Sequence, residues 1–230
     1  MPLILTCSGI SKTFERAAVP ISFLQDHLLS RPQRKQRIEA LKNISFDLQQ
    51  GEWVGLFGQN GCGKTTLLRI LAGVMQPDAG SATINGGVSS YFDFLAGFHE
   101  ERNAIENLYF HGLFQGMPPE EARSRIQQII AFAGVESHQH LPLKCYSTGM
   151  KLRLGFAAAT HTPADLYLMD EIFAVGDTAF KEQCFRKLLE MKAAGSSALI
   201  VSHSLRHLNR VCDRVLMMEQ GALTPSPMVA

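Results

Sequence analysis

The sequence predicts an α/β fold, a mostly parallel sheet with a helical part inserted in its middle. Three observations lead there. Short apolar runs such as "WVGLFG", "DLYLMDE" and "SALIVSH" alternate with helical stretches, as strand–helix–strand units do. "GQNGCGKTT" sets a glycine-rich turn between one of those strands and a helix. From about 94 to 160 the pattern turns helical, with apolar residues at helical spacing.

The elements follow in order. "LILTCSGISKTF" reads as short apolar strands with a turn at Ser8-Gly9, and "ALKNISFDLQQGEW" as a strand alternating around Ile44, Phe46 and Leu48 and ending at Gly51;. The connection 15–38 is long enough to suggest an insertion with its own contacts, including a short helix around Ile21 to Leu29 that stops before Pro32;. "WVGLFG" is a compact strand, and "KTTLLRILAG" is a helix closed by Gly73;. "PDAG" reads as a turn, and "SATINGG" as a strand running into an Asn-Gly turn;. In the helical part, "AIENLYFHGLFQG" is followed by "PPEEARSRIQQIIAFAGV", which opens with proline and acidic residues;. "KCYSTGMKLRLGFAAA" has Ser147 in a capping position before an apolar run;. "DLYLMDE" is a buried strand, "FKEQCFRKLLEMKAAG" an amphipathic helix ending at Gly195, "SALIVSH" a strand, "LRHLNRVCD" a helix, and "RVLMMEQGAL" a closing strand and turn;. No internal repeat or low-complexity segment is evident.

The 230 residues suffice for one domain with an ample core;. We divide it into a core of 1–93 and 161–230 and a helical subdomain of about 94–160. A net charge of +1 disfavours a nucleic-acid partner;. The basic run "RPQRKQR" at 31–37 reads either as a solvated loop or as a contact for phospholipid head groups;. Five scattered cysteines without a CxxC pair argue against a disulfide framework or a zinc site;. The N-terminal stretch lacks the basic start of a signal peptide, and no apolar run is long enough for a membrane-spanning helix;. The expected location is therefore the cytosol, with any membrane role exercised through a partner.

"GQNGCGKTT" carries the chemistry of phosphate binding. Gly58, Gln59, Asn60, Gly61, Cys62, Gly63, Lys64, Thr65 and Thr66 fit G-x-x-x-x-G-K-[ST] and its continuation;. The glycines let successive backbone N–H groups turn towards phosphate oxygens, and the helix behind adds its positive end. Lys64 would reach the β and γ phosphates, and the Thr65 hydroxyl could ligate Mg²⁺. Four apolar residues in "LYLMDE" deliver Asp170 and Glu171 to the C-terminal end of a strand, where open α/β sheets place their sites. Asp170 would hold Mg²⁺ through water, and Glu171 would act as general base. An acidic pair alone is also a common way to end a strand, and a lone histidine such as His203 in "IVSHS" is usually a satisfied polar residue. Beside a phosphate loop, His203 could reach a γ phosphate from the same sheet edge.

In this order, "GQNGCGKTT", "YSTGM", "LYLMDE", "AVGD" and "VSHS" resemble the nucleotide-binding subunit of ATP-binding cassette (ABC) transporters, over roughly 3–14 and 39–221. The resemblance implies the P-loop NTPase fold of ABC ATPases, with an antiparallel β subdomain and an inserted α-helical subdomain, and an enzyme that hydrolyses ATP with Mg²⁺. "YSTGM" stands where the family has its Leu-Ser-Gly-Gly-Gln signature, so Ser147, Thr148, Gly149 and Met150 would face the ATP held by an opposite subunit. Ser147 and the backbone of Gly149 would contact its γ phosphate. Asp177 in "AVGD" is similar to the loop that communicates between the two sites, and Phe14 in "SKTF" to the aromatic that stacks on adenine.

Thr148 and Met150 replace the usual glycine and glutamine. "SYFDFLAGFHEERNAIEN" lacks the glutamine of the family's Mg²⁺-sensing loop, with Asp93 nearest its place as a metal ligand. "YSTGM", "AVGD" and "AGFH" followed by "EN" are similar to the branch that exports capsular polysaccharide, O-antigen or teichoic acid. Within that branch the sequence looks like the short, capsule-type form, expected to lack the extra C-terminal sugar-binding domain of many O-antigen members. The branch implies an ATP-sandwich homodimer and a separate multi-span membrane permease, docked near "FLAGFH" at the cytoplasmic face of the inner membrane, with no nucleic-acid partner. The alternatives are a soluble ABC ATPase acting on translation or nucleic acid, and an ABC subunit serving another substrate.

Overall fold

Runs without charge end up where the sheet is deepest. The computed structural model describes residues 2–16, 36–92, 94–174 and 176–224. Its strands Trp53–Gly58 (β3), Leu166–Asp170 (β6) and Ser197–Ser202 (β7) lie side by side at the centre of a six-stranded sheet. Val88–Tyr91 is β5, Arg214–Glu219 is β8 and Ala222–Thr224 is β9, and the order across the sheet is β5-β6-β7-β3-β8-β9. All neighbours are parallel except the β8–β9 hairpin. The central strands need apolar residues on both faces because both are covered. Val54, Leu56, Leu166, Leu168, Leu199 and Val201 pack into one core. The intervening Trp53, Tyr167, Met169, Ala198 and Ile200 pack into another.

The first core is closed by helix α1 (Lys64–Leu71) and by a three-stranded antiparallel sheet. Leu3–Arg16 is β1, Gln36–Gln49 is β2 and Ala79–Ile84 is β4, in the order β2-β1-β4. The helical part holds α2 (Ala104–Phe114), α3 (Pro119–Ala133) and α4 (Thr148–His161). A capping box starts α2: Asn103 Oδ1 accepts from Glu106 N at 2.9 Å, and Glu106 Oε2 accepts from Asn103 N at 3.1 Å;. Leu108, Ile126, Ile130, Leu154, Ala157 and Ala158 form a core of their own. α4 serves both sides, because its Phe156 and Ala159 pack into the second sheet core beside α5 (Thr178–Ala193) and α6 (Leu205–Val211).

Three expectations change. The turn at Ser8-Gly9 is an irregularity inside the single strand β1: Gly9 has φ 62° and the pairing register shifts between Cys7 and Ile10;. The "PDAG" turn is shorter than read, since Ala79 and Gly80 already belong to β4. Gly80 has φ 81°, and a side chain there would meet the Gly9 backbone at 2.3 Å, so two glycines allow the strands to touch. The Asn85-Gly86 bend carries the chain from the antiparallel sheet into β5 at the edge of the parallel one. The strands also extend into the connection 15–38, and its helix Ile21 to Leu29 lies outside the described residues.

Two histidines lie at the junction of the helical part and the sheet. The His161 ring donates from Nδ1 to Ala157 O at 2.7 Å, and His111 stacks on Phe98 at 5.6 Å. Burial pushes both rings from 6.5 down to about 4;. The unfolded chain therefore binds more protons than the folded one between those values, and stability is lost as pH falls through that window. The thermal midpoint is expected to fall between pH 6.5 and roughly 5, above the range where carboxylates titrate. His161→Gln should flatten that slope; an unchanged slope would remove His161 from the effect.

Candidate functional site

The site begins where β3 stops. A side chain on Gly58 would lie 2.4 Å from Met218 O and 2.6 Å from Cys62 Sγ. Gly63 has φ 112°, and a Cβ there would stand 2.4 Å from Ala40 O. Both glycines are thus required by close approach, and Gly63 by backbone conformation as well. The chain curls back on itself and enters α1 with no side-chain cap, so the N–H groups of the first turn have no intrahelical partner. Lys64 is only 6% exposed. Its Nζ donates to Gly58 O at 2.7 Å and Gln59 O at 2.9 Å, which folds the cation across the mouth of its own loop. The uncapped N–H groups of the helix start, together with the Lys64 ammonium, make an anion site;.

β6 runs beside β7 and delivers the acidic pair to the same sheet edge. Asp170 Oδ2 accepts from the Thr65 hydroxyl at 2.7 Å, which ties β6 to α1. Burial pushes the Asp170 carboxyl above its ordinary range, against the Thr65 hydrogen bond and the Lys64 charge, and the Glu171 charge adds to the upward shift. Glu171 has φ 50°, a left-handed conformation that is uncommon outside glycine;. Its N–H donates to Val201 O at 3.0 Å, and its Oε2 lies 2.9 Å from His203 Nδ1 and 3.5 Å from Ser202 Oγ. The tight turn thus lifts the carboxylate off the strand and aims it at the neighbouring one.

A cleft of about 530 Å³ is lined by Phe14, Asn60, Gly61, Gly63, Lys64, Thr65, Thr66, Asp170 and Glu171, together with Ala40 and Phe92. Phe14 sits at the rim, a third exposed. Gln59 contributes its carbonyl, while the Cys62 side chain is buried under the loop. Ser147, Thr148, Gly149, Met150 and Asp177 do not line the cleft. Ser147 caps α4, its Oγ accepting from Met150 N at 3.2 Å, and Ser147, Thr148 and Gly149 are all exposed. Asp177 caps α5 by accepting from Phe180 N at 2.9 Å.

Phe92 was missed by sequence reasoning. The available signal was its place just past the C-terminal end of a parallel strand, which is only useful once β5 is recognised. Asp93 lies outside the described residues. Among the described residues, no three His, Cys, Asp or Glu side chains group around a metal position. The donors present are the Thr65 hydroxyl and the Asp170 carboxylate. This all-oxygen pair suits a hard cation that arrives with water and phosphate ligands of its own.

The family profile described as ABC transporter matches residues 41–174, more than half of the chain. The chain belongs to the ABC transporter family. As an ABC cassette it binds ATP and hydrolyses it. Among its relatives, the O-antigen export system ATP-binding protein RfbB of Klebsiella pneumoniae is 38% identical over 184 residues, 80% of this chain and 75% of that protein. The teichoic acids export ATP-binding protein TagH of Listeria innocua is 36% identical over 214 residues, 93% of this chain but 64% of its own length. A dimeric ATP-binding cassette in a post-hydrolysis state with ADP and Pi matches the ABC fold with TM-score 0.76 at 20% identity, covering 96% of this chain and 97% of that one.

Proposed function

We propose that this chain is the ATP-hydrolysing subunit of an exporter that moves a polysaccharide or lipid-linked glycan across the inner membrane through a separate membrane subunit. The glycan is supported by RfbB and TagH, ATP-binding proteins of O-antigen export and of teichoic acid export. None of the described helices is long and apolar enough to cross a membrane, which fits a peripheral subunit at the cytoplasmic face that docks near the 94–99 loop.

One observation carries the working form. The phosphate loop and acidic pair share one sheet edge with His203, which follows β7 and meets Glu171, whereas the exposed starts of α4 and α5 lie outside the cleft. A helix start carrying Ser147 and Gly149 is an anion site without an anion of its own, suited to the γ phosphate held by a second copy. Two copies would then enclose two ATP molecules. Phe14 would stack on adenine, and the loop 58–66 would cradle the phosphates. Thr65 and Asp170 would hold Mg²⁺, which supplies charge neutralisation on the phosphate oxygens. Glu171 would take a proton from the water that attacks the γ phosphorus as the bond to ADP breaks. His203 would hold Glu171 in place and meet the γ phosphate.

The test is to purify the tagged Glu171→Gln protein from detergent-solubilised native membranes and to identify its companions by mass spectrometry. A stoichiometric multi-span membrane protein is expected. Ribosomes or nucleic-acid factors in its place would overturn export and favour a soluble ABC ATPase.

A further inference from the structure

Arg153 lies on α4 one turn beyond Gly149, on the same face;. Its Nη2 donates to Asp177 Oδ2, while Asp177 Oδ1 accepts from Phe180 N and so caps α5. The guanidinium also lies over the Phe180 ring, 5.0 Å from its centroid. That ring is buried between Phe132 and Phe156, so the arginine is held by a charge and by a packed aromatic together. A lysine has neither the plane nor the fork to do both.

The two side chains of the ion pair remain 31% and 61% exposed, and pairs that exposed add little to stability. What the pair does add is a link between two helix starts. α4 opens with Ser147 and α5 with Asp177, and neither start lines the chain's own cleft. Asp177 also ends the short connection that leaves Glu171. The near end of that connection is pinned by the Glu171 N–H on Val201 O.

We infer that Arg153 is a positioning residue that yokes the start of α4 to the start of α5, so that one subunit presents both to its partner's ATP as a single preformed surface. The inference rests on the two-copy reading above. Arg153 does not line its own chain's cleft, so it acts through Ser147 and Asp177.

The experiment measures ATP-dependent dimerisation by analytical ultracentrifugation in the full chain carrying Glu171→Gln. To this parent are added Arg153→Gln, Asp177→Asn, or both. Asparagine keeps the cap and removes the charge. Each single change is expected to weaken dimerisation about tenfold, and the pair of changes to weaken it no further, the signature of one shared interaction. ATP affinity of the monomer and the thermal midpoint should stay unchanged, and Arg153→Lys should restore dimerisation only in part. A dimer as tight in Arg153→Gln as in the parent overturns the yoke, as do additive losses or a fall in thermal midpoint that carries ATP binding with it. A parent that stays monomeric in ATP overturns the two-copy reading and the yoke with it.

Discussion

Glu171→Gln is expected to cut ATP turnover by about 10²–10⁴-fold, the range for loss of a positioned general base, while ATP still binds. The geometry explains why binding should survive. The phosphate loop, Lys64 and Thr65 are built from β3 and α1, and Glu171 belongs to neither. Its carboxylate is held by His203 and Ser202, and glutamine has the same shape and can keep a hydrogen bond to each. What it loses is the capacity to accept a proton from water. The φ of 50° at Glu171 is the same demand for either side chain, so the substitution adds no new backbone strain. Steady-state phosphate release and equilibrium ATP titration on one preparation check the split. Turnover equal to the parent protein would remove Glu171 as the base.

Lys64→Ala is expected to weaken ATP binding itself by about 10²-fold, because two charge-assisted hydrogen bonds at ~1.5 kcal/mol each disappear. The ammonium now spends those donors on Gly58 O and Gln59 O, and phosphate oxygens are stronger acceptors at the same mouth. The loop should keep its shape without the lysine, since its curl is set by the close approaches at Gly58 and Gly63. Calorimetric titration with ATP reads the effect, and circular dichroism checks that α1 remains. An affinity within about twofold of the parent would put the phosphate elsewhere.

The residues that could be read from the sequence are those whose chemistry demands a fixed local spacing. The phosphate loop between β3 and α1, the acid pair ending β6 and the cap at Ser147 each lie within a few consecutive residues. β5 was not read, because "VSSY" is a short, half-polar edge strand whose pairing with β6 is remote in sequence. With β5 missing, Phe92 had no element to place it. The irregularity at Gly9 depends on the approach of Gly80 from another strand, and no local pattern encodes that. Arg153 reads as an ordinary surface charge until α5 is packed beside α4. Asp93 and the helix Ile21 to Leu29 lie outside the described residues.

The double allegiance of α4 bears on how such proteins exchange parts. Leu154, Ala157 and Ala158 belong to the helical core, while Phe156 and Ala159, interleaved with them, belong to the sheet core. A chimera that swaps 94–160 as a block would import a foreign Phe156 into a pocket closed on the host's side by Phe180. Cutting ahead of Ser147 would leave α4 with the sheet and split the helical core instead. Neither cut is clean, so α4 and its sockets on both sides form the smallest unit that can be inherited together.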